Sequence, residues 1–294
     1  MRRPVLVLDL ETIEDMSLPP RKPKGKKKKA DEFPPVPYHQ IVAMGAALLD
    51  AHYHLRKIWI VAEGKSEEEM LRALTGFLNA HFARRDDIMI AGWNTRGFDM
   101  PVIAARCLRY GISFPWYYGS REVRYRYSPD GHLDLMEFLV DYSTSRNYSL
   151  DIAAKLIGMP GKMDCSGANV GKMIAEGRQE EVFAYCMTDV AQETAVFLRT
   201  QLLRGELAHA EYVAAMEGLL LAVEREPRLA PMLPLIDRGR LLLTPAAGPV
   251  QPKLGDGAPD LGQEPPKSAV THTGPVLASA PMHGEEAQRL RAAS

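Results

Sequence analysis

The chain has 294 residues, a formal net charge of −1, and 46% hydrophobic and 25% charged residues. That length allows one large domain or two small ones, and the balance is that of an ordinary globular protein. A near-neutral chain has no global basic field to draw it to nucleic acid, so any such binding must come from local patches or bound metals. The cysteines, Cys107, Cys165 and Cys186, form no CxxC pair. They argue against a disulfide framework and a zinc knuckle and suit a reducing, cytoplasmic compartment. The opening MRRPVLVL resembles a signal peptide until Asp9 and Glu11 break its apolar run. No apolar stretch approaches the ~20 residues that a membrane helix needs.

Residues 4–10, PVLVLDL, are a continuous apolar run expected of a central strand covered on both faces. Residues 14–37 hold six prolines and the basic cluster RKPKGKKKK at 21–29, and read as a loop. Strands are expected at 41–49 and 55–62. Ser66 and Glu69 have capping-box spacing and open a helix on which Met70, Leu71, Leu74, Phe77 and Leu78 form one stripe. A fourth strand follows at 87–93, and Pro101 marks the first turn of a helix that stops at Gly111. Segments 133–140, 149–158, 170–177, 179–203 and 207–225 read as helices. Three strands, a helix, a strand and then mainly helices predict a mixed sheet with helices packed on it. From residue 244 the chain has eight Pro, six Gly and no aromatic residue, a composition that predicts disorder.

Three acidic blocks carry the chemistry. Asp9 and Glu11 in VLDLET are two apart on a strand, so both carboxylates share one face while Leu8 and Leu10 take the other. Like charges at adjacent same-face positions repel, and a divalent cation is the natural compensation; the alternative is a strand end that reaches solvent. In WNTRGFDMP, Asp99 stands at a strand-to-helix junction, either as a helix cap or as a further metal-reaching carboxylate. Asn94 offers an amide to a nucleotide and Phe98 a ring to a base. In YCMTD, Tyr185 and Asp189 are four apart, on one face of a helix. A phenol with an ordinary pKa of about 10 suits orienting a water rather than deprotonating it; a half-buried Tyr beside a solvated Asp is the alternative. Leu10 and Thr12, which flank Glu11, complete the candidate substrate contacts. Asp134, three before Glu137, reads as a capping or supporting acid, with metal ligation as the alternative.

In this order and on these elements, the blocks resemble the DEDD superfamily of 3′–5′ exonucleases on the ribonuclease H-like fold. More narrowly, the chain resembles the exonuclease domain of family B DNA polymerases, the proofreading domain, and the stand-alone predicted exonucleases related to it. WNTRGFDMP at 93–101 is the most specific match, and YCMTD places the chain in the tyrosine subgroup. The histidine subgroup carries His five residues before the last Asp, where this chain has Ala184. The resemblance covers residues 4–203.

It implies an α/β fold in which three antiparallel strands are followed by parallel ones, flanked by helices. The expected organisation is a nuclease domain at 1–205, a helical extension at 206–243 and a disordered tail at 244–294. It also implies two divalent cations, Mg²⁺ or Mn²⁺, with Asp9, Glu11 and Asp189 holding one and Asp9 with Asp99 the other. The substrate would be nucleic acid with a free 3′ end, single-stranded DNA favoured, released as nucleoside 5′-monophosphates. The main rival is an inactive nucleic-acid-binding module of the same fold, against which the intact acids speak. A ribonuclease H or resolvase relative would lack YxxxD. The lysines at 26–29 read as a phosphate grip, an import signal or a solvated loop, and the polar stretch 164–173 as a backbone contact or a plain connector.

Overall fold

The run after Pro4 forms β1 (Val5–Glu14), and its alternation sorts side chains between two faces of a sheet. The computed structural model of the protein describes residues 2–21, 33–84, 88–163 and 167–244. In it Val5 and Val7 enter one apolar cluster, and Leu6, Leu8 and Leu10 enter a second on the opposite face. β2 (His39–Leu49) lies antiparallel to β1, and β3 (Leu55–Ile60) antiparallel to β2. β4 (Met89–Gly92) and β5 (His132–Asp134) run parallel on the other flank, giving the order β3-β2-β1-β4-β5. This is the expected mixed sheet, three antiparallel strands and then parallel ones. The β1–β2 register shifts between Glu11 and Thr12, a bulge beside the strand's two acids.

Helices cover both faces. On the Leu8 face lie α1 (Glu67–Arg84) and α2 (Asp99–Tyr110). The capping box forms: the Ser66 amide and hydroxyl donate to Glu69 at 3.0 and 2.8 Å, and the Glu69 amide donates to the Ser66 hydroxyl at 3.3 Å. Between α2 and β5 come two short helices, α3 (Pro115–Gly119) and α4 (Arg121–Arg124). α5 (Leu135–Leu139) directly follows β5. On the Val7 face lie α6 (Leu150–Ile157), α7 (Val170–Ala175), the 25-residue α8 (Gln179–Leu203) and α9 (His209–Arg225). α10 (Arg238–Leu242) is tied back by Tyr212, whose hydroxyl donates to the Leu241 carbonyl at 2.6 Å. All described residues fall in one unit, Met1–Ala247.

α8 reaches the sheet at a glycine. Gly45 is the β2 partner of Asp9, and a Cβ there would stand 2.7 Å from Val190 Cγ2 and 2.9 Å from Cys186 Sγ. No other residue lets the helix settle this close to the strand that carries Asp9.

Three expectations change. Residues 132–134 are strand, where the sequence predicts a helix from 133; the helix begins at Leu135. β1 runs on to Glu14, into the expected loop. α2 starts at Asp99, so Asp99 is its first residue rather than its cap, and Phe98 stands at the cap position. The lysines at 26–29, Cys165 and the expected disordered tail from 245 lie outside the described residues.

A buried ion cluster locks the end of β1 against α1 and α2. Arg106, 2% exposed, donates to Glu67 at 2.7 Å and to Asp15 at 2.6 Å. Glu67 also accepts from the Ile41 amide at 2.7 Å and the Tyr110 hydroxyl at 2.8 Å. Burial alone would raise the pKa of Asp15, but hydrogen bonds from Ser17 and Arg106 overcome it and hold the carboxyl down at about 2. Among the described residues, no helix is long and apolar enough to cross a membrane.

Candidate active site

Asp9 and Glu11 project from β1 toward α8, where Tyr185 and Asp189 are one turn apart. One oxygen from each of Asp9, Glu11 and Asp189 lies within 4.8 Å of the others. Two residues of a strand thus meet a helix residue far along the chain. The charges acting on Asp9 are all carboxylates: Glu193, Glu11, Asp99 and Asp189. Burial first, and these neighbours second, push Asp9 far above the usual carboxylate range and Glu11 up to about 9. Burial also raises Asp189 to about 6, against a hydrogen bond from Tyr185 and the nearby Lys162. None of the cluster's acids has an ion pair among the described residues. A set of oxygen donors this close and this short of positive charge fits a hard divalent cation.

Asp99 lies outside that trio but belongs to the same field. It is 3% exposed, and its Oδ1 accepts from the Leu10 amide at 3.1 Å, which ties the start of α2 to β1. Burial raises Asp99 to about 7. Leu10 serves this contact through its backbone, since its side chain is buried among the core residues of α1 and α2.

The turn before α2 is held from below. Asn94 sits at φ 59°, a left-handed conformation that asparagine tolerates, and its carbonyl accepts from the Gly97 and Phe98 amides at 3.0 and 2.9 Å. Asp134, 2% exposed, accepts from the amides of Asn94 (3.2 Å), Arg96 (2.9 Å) and Glu137 (3.1 Å). It caps α5 and clamps the turn with the same carboxylate. Phe98 packs edge-on against His39 at 4.8 Å and lies 5.6 Å from Phe33, which is 73% exposed. Thr12 pairs with the other side of His39, its Oγ1 lying 2.8 Å from Nδ1. Thr12 and Phe98 therefore share one rim of the acid cluster.

Tyr185 is hydrogen-bonded to Asp189, and burial, then the neighbouring acids, push its phenol well above its ordinary value. It stays protonated and acts as a donor.

Two site residues were not anticipated from the sequence. Glu193, one turn beyond Asp189, is 1% exposed; its Oε1 accepts from the Trp93 amide at 3.1 Å and its Oε2 has no hydrogen-bond partner among the described residues. Its four-residue spacing from Asp189 was the available signal. Cys186 places its sulfur 3.7 Å from Asp9 Oδ2. No pattern marks that contact, since it needs α8 and β1 to be brought together.

A family model described as a predicted 3′–5′ exonuclease related to the exonuclease domain of PolB matches residues 31–232. No curated protein matches the chain. Among solved structures, the family B DNA polymerase of the archaeon Pyrobaculum calidifontis is similar at 17% identity and a TM-score of 0.48, over 76% of this chain and 29% of that one. Exonuclease I of E. coli, in complex with a 5cy-dT13 oligonucleotide, is similar at 15% identity and a TM-score of 0.34, over 69% of this chain and 42% of that one. The chain therefore spans less than half the length of either protein. With the match running over most of the described sheet and helices, the chain belongs to the family of predicted 3′–5′ exonucleases related to the exonuclease domain of PolB.

Proposed function

We propose that this protein hydrolyses phosphodiester bonds at the 3′ end of nucleic acid, DNA favoured, with two divalent cations, and releases nucleoside 5′-monophosphates. The observation that supports this most is the convergence of Asp9, Glu11 and Asp189 within 4.8 Å, with no ion pair to any of them among the described residues. Asp9, Glu11 and Asp189 would hold one ion, and Asp9 with Asp99 the other. When bound, Mg²⁺ or Mn²⁺ would acidify an attacking water and offset the charge that builds on the phosphate.

The chain's own residues do the positioning. Tyr185 stays protonated, and its single O–H, given to Asp189 here, would turn to the attacking water and orient it when Asp189 binds a cation. The Leu10 amide fixes Asp99, and Asp134 holds the Asn94–Arg96 turn beside it. Thr12 and Phe98, joined by His39, form the rim on which the terminal nucleotide rests. Asn94 would offer its side-chain amide to the nucleotide.

The test is a degradation assay on 5′-labelled single-stranded DNA and RNA with Mg²⁺ or Mn²⁺, beside Asp9→Asn. A ladder shortening from the 3′ end, absent in the variant, is expected. No cleavage with either metal overturns the enzymatic reading, and binding without cleavage favours an inactive module.

A further inference from the structure

A second surface is formed by α3, the segment from α4 to β5, and Tyr142 just beyond α5. Tyr118, Tyr125 and Tyr127 are 58%, 51% and 56% exposed. Tyr127 stands 4.9 Å from Tyr142 and 5.9 Å from Tyr125, ring centre to ring centre. Arg124 lies over Tyr118 at 5.0 Å and Arg121 over Tyr125 at 5.9 Å. Neither arginine has an ion pair among the described residues. Exposed rings gathered in one place are unusual on a protein surface and mark an interaction site. Tyr142 is presented by three consecutive left-handed residues, Asp141, Tyr142 and Ser143, at φ 51°, 52° and 81°. Left-handed runs are disfavoured for residues with a Cβ, so packing must hold this one in place.

This surface is bolted to the candidate active site through one side chain. The Arg96 guanidinium donates to the carbonyls of Val123 (3.0 Å), Tyr125 (3.3 Å) and His132 (2.6 Å), while its own amide sits on Asp134 in the turn that leads to Asp99. Arg96 also lies within electrostatic reach of Tyr117 and Tyr142. The rings therefore stand one arginine away from the acids.

A polyanion approaching those acids meets like charge, and the chain's net charge of −1 supplies no general attraction. Unpaired guanidinium groups can hold phosphates, and phenol rings can stack on bases without reading their identity. Base faces are open only in an unpaired strand. Resting on the exonuclease reading above, we propose that Tyr118, Arg121, Arg124, Tyr125, Tyr127 and Tyr142 form a track for single-stranded nucleic acid, sequence-tolerant, which carries the part of the strand 5′ to the bond being cleaved.

The test uses the full chain and two double variants of exposed side chains, Arg121→Gln with Arg124→Gln and Tyr125→Ala with Tyr127→Ala. The probes are fluorescein-labelled dT20, rU20, a blunt duplex and the trinucleotide dT3. In hydrolysis with Mn²⁺, each double variant should raise KM on the 20-mers roughly tenfold, leave kcat within about twofold, and leave dT3 unchanged. Comparing dT20 with rU20 shows which strand the track takes. An unchanged KM on 20-mers overturns the proposal, as does an equal loss on dT3, which would assign the residues to the acid site. If the wild-type chain cleaves nothing, the exonuclease reading fails separately. Fluorescence anisotropy then still reads the track: weaker binding of dT20 by both variants supports it. Equal binding by variants and wild type, or binding of the duplex as tight as the single strand, overturns it and leaves the surface to a protein partner.

Discussion

Two groups of acids meet β1, one at Asp9 and Glu11 on the strand and one at Asp15 just past its end, and they behave in opposite ways. Asp15, with Glu67, is neutralised by Arg106, and its pKa is held down at about 2. Asp9 and Glu11 have only other acids as charged neighbours, Asp189 has a lysine near it but no ion pair among the described residues, and Glu11 is pushed up to about 9. Burial is common to both, so burial does not distinguish them. The difference is whether the protein supplies its own cation. A buried acid with an arginine partner is a joint in the structure; a buried group of acids without one is built for a charge that arrives from outside.

The largest effect should come from removing the internal cation. Arg106→Met leaves Glu67 buried without a cation and Asp15 with only the half-exposed Arg109, 3.2 Å away, and should destabilise the protein by about 3–5 kcal/mol in urea unfolding. Asp9→Asn should do the reverse to the metal-free protein and raise its melting temperature, because it removes a carboxyl that the fold forces to hold its proton and the unfolded chain does not. A fall in both variants would erase the distinction between the two clusters.

Tyr185→Phe should lower kcat on single-stranded DNA by roughly 10²-fold, as loss of one positioned donor does. Cation binding, read by the rise in melting temperature with Mn²⁺, should persist. Loss of that rise would mean that the phenol shapes the metal site rather than the reaction.

The pH dependence should separate the clusters without mutation. Asp15 titrates lower in the fold than in the unfolded chain, so its contribution is complete above about pH 4 and is lost as pH falls toward about 2. Glu11 and Asp189 are raised, so the metal-free fold binds protons more tightly than the unfolded chain does. Its stability should fall as pH rises from about 4 through the range of 6 to 9, and Mn²⁺ should cancel that fall. Melting curves with EDTA and with Mn²⁺ check both limbs. A metal-free melting temperature that is flat across the upper limb would contradict the raised values.

Asp134→Asn should have the smallest effect, about 1–2 kcal/mol of stability, since the new amide keeps one acceptor for the three N–H groups. A loss of cation binding in this variant would move Asp134 from supporting the turn to holding metal.

Much of this was legible in the sequence, for reasons that differ by residue. Asp9 and Glu11 follow strand alternation, and Tyr185 and Asp189 follow helical spacing; both rules are local, and both held in the structure. The Asp99 region was placed at the right junction, but its cap position was off by one, because its carboxylate is engaged across space by the Leu10 amide rather than by its own helix. β5 was hidden since three strand residues run straight into a helix, and LDLMEFLV carries the helical pattern throughout. Glu193 had the spacing but no motif. Arg106 carries no local mark of its role, because its partners lie 39 and 91 positions away.

Gly45 bears on how tolerance to substitution would be read. It has no functional group, lies on a strand that contributes no acid, and still fixes how near α8 can lie to Asp9. A scan scored by activity would rank Gly45 with the carboxylates, and a scan scored by expression would not separate it from the core. Sensitivity at a position without chemistry would then be a measure of distance between two elements, with one methyl group as the gauge.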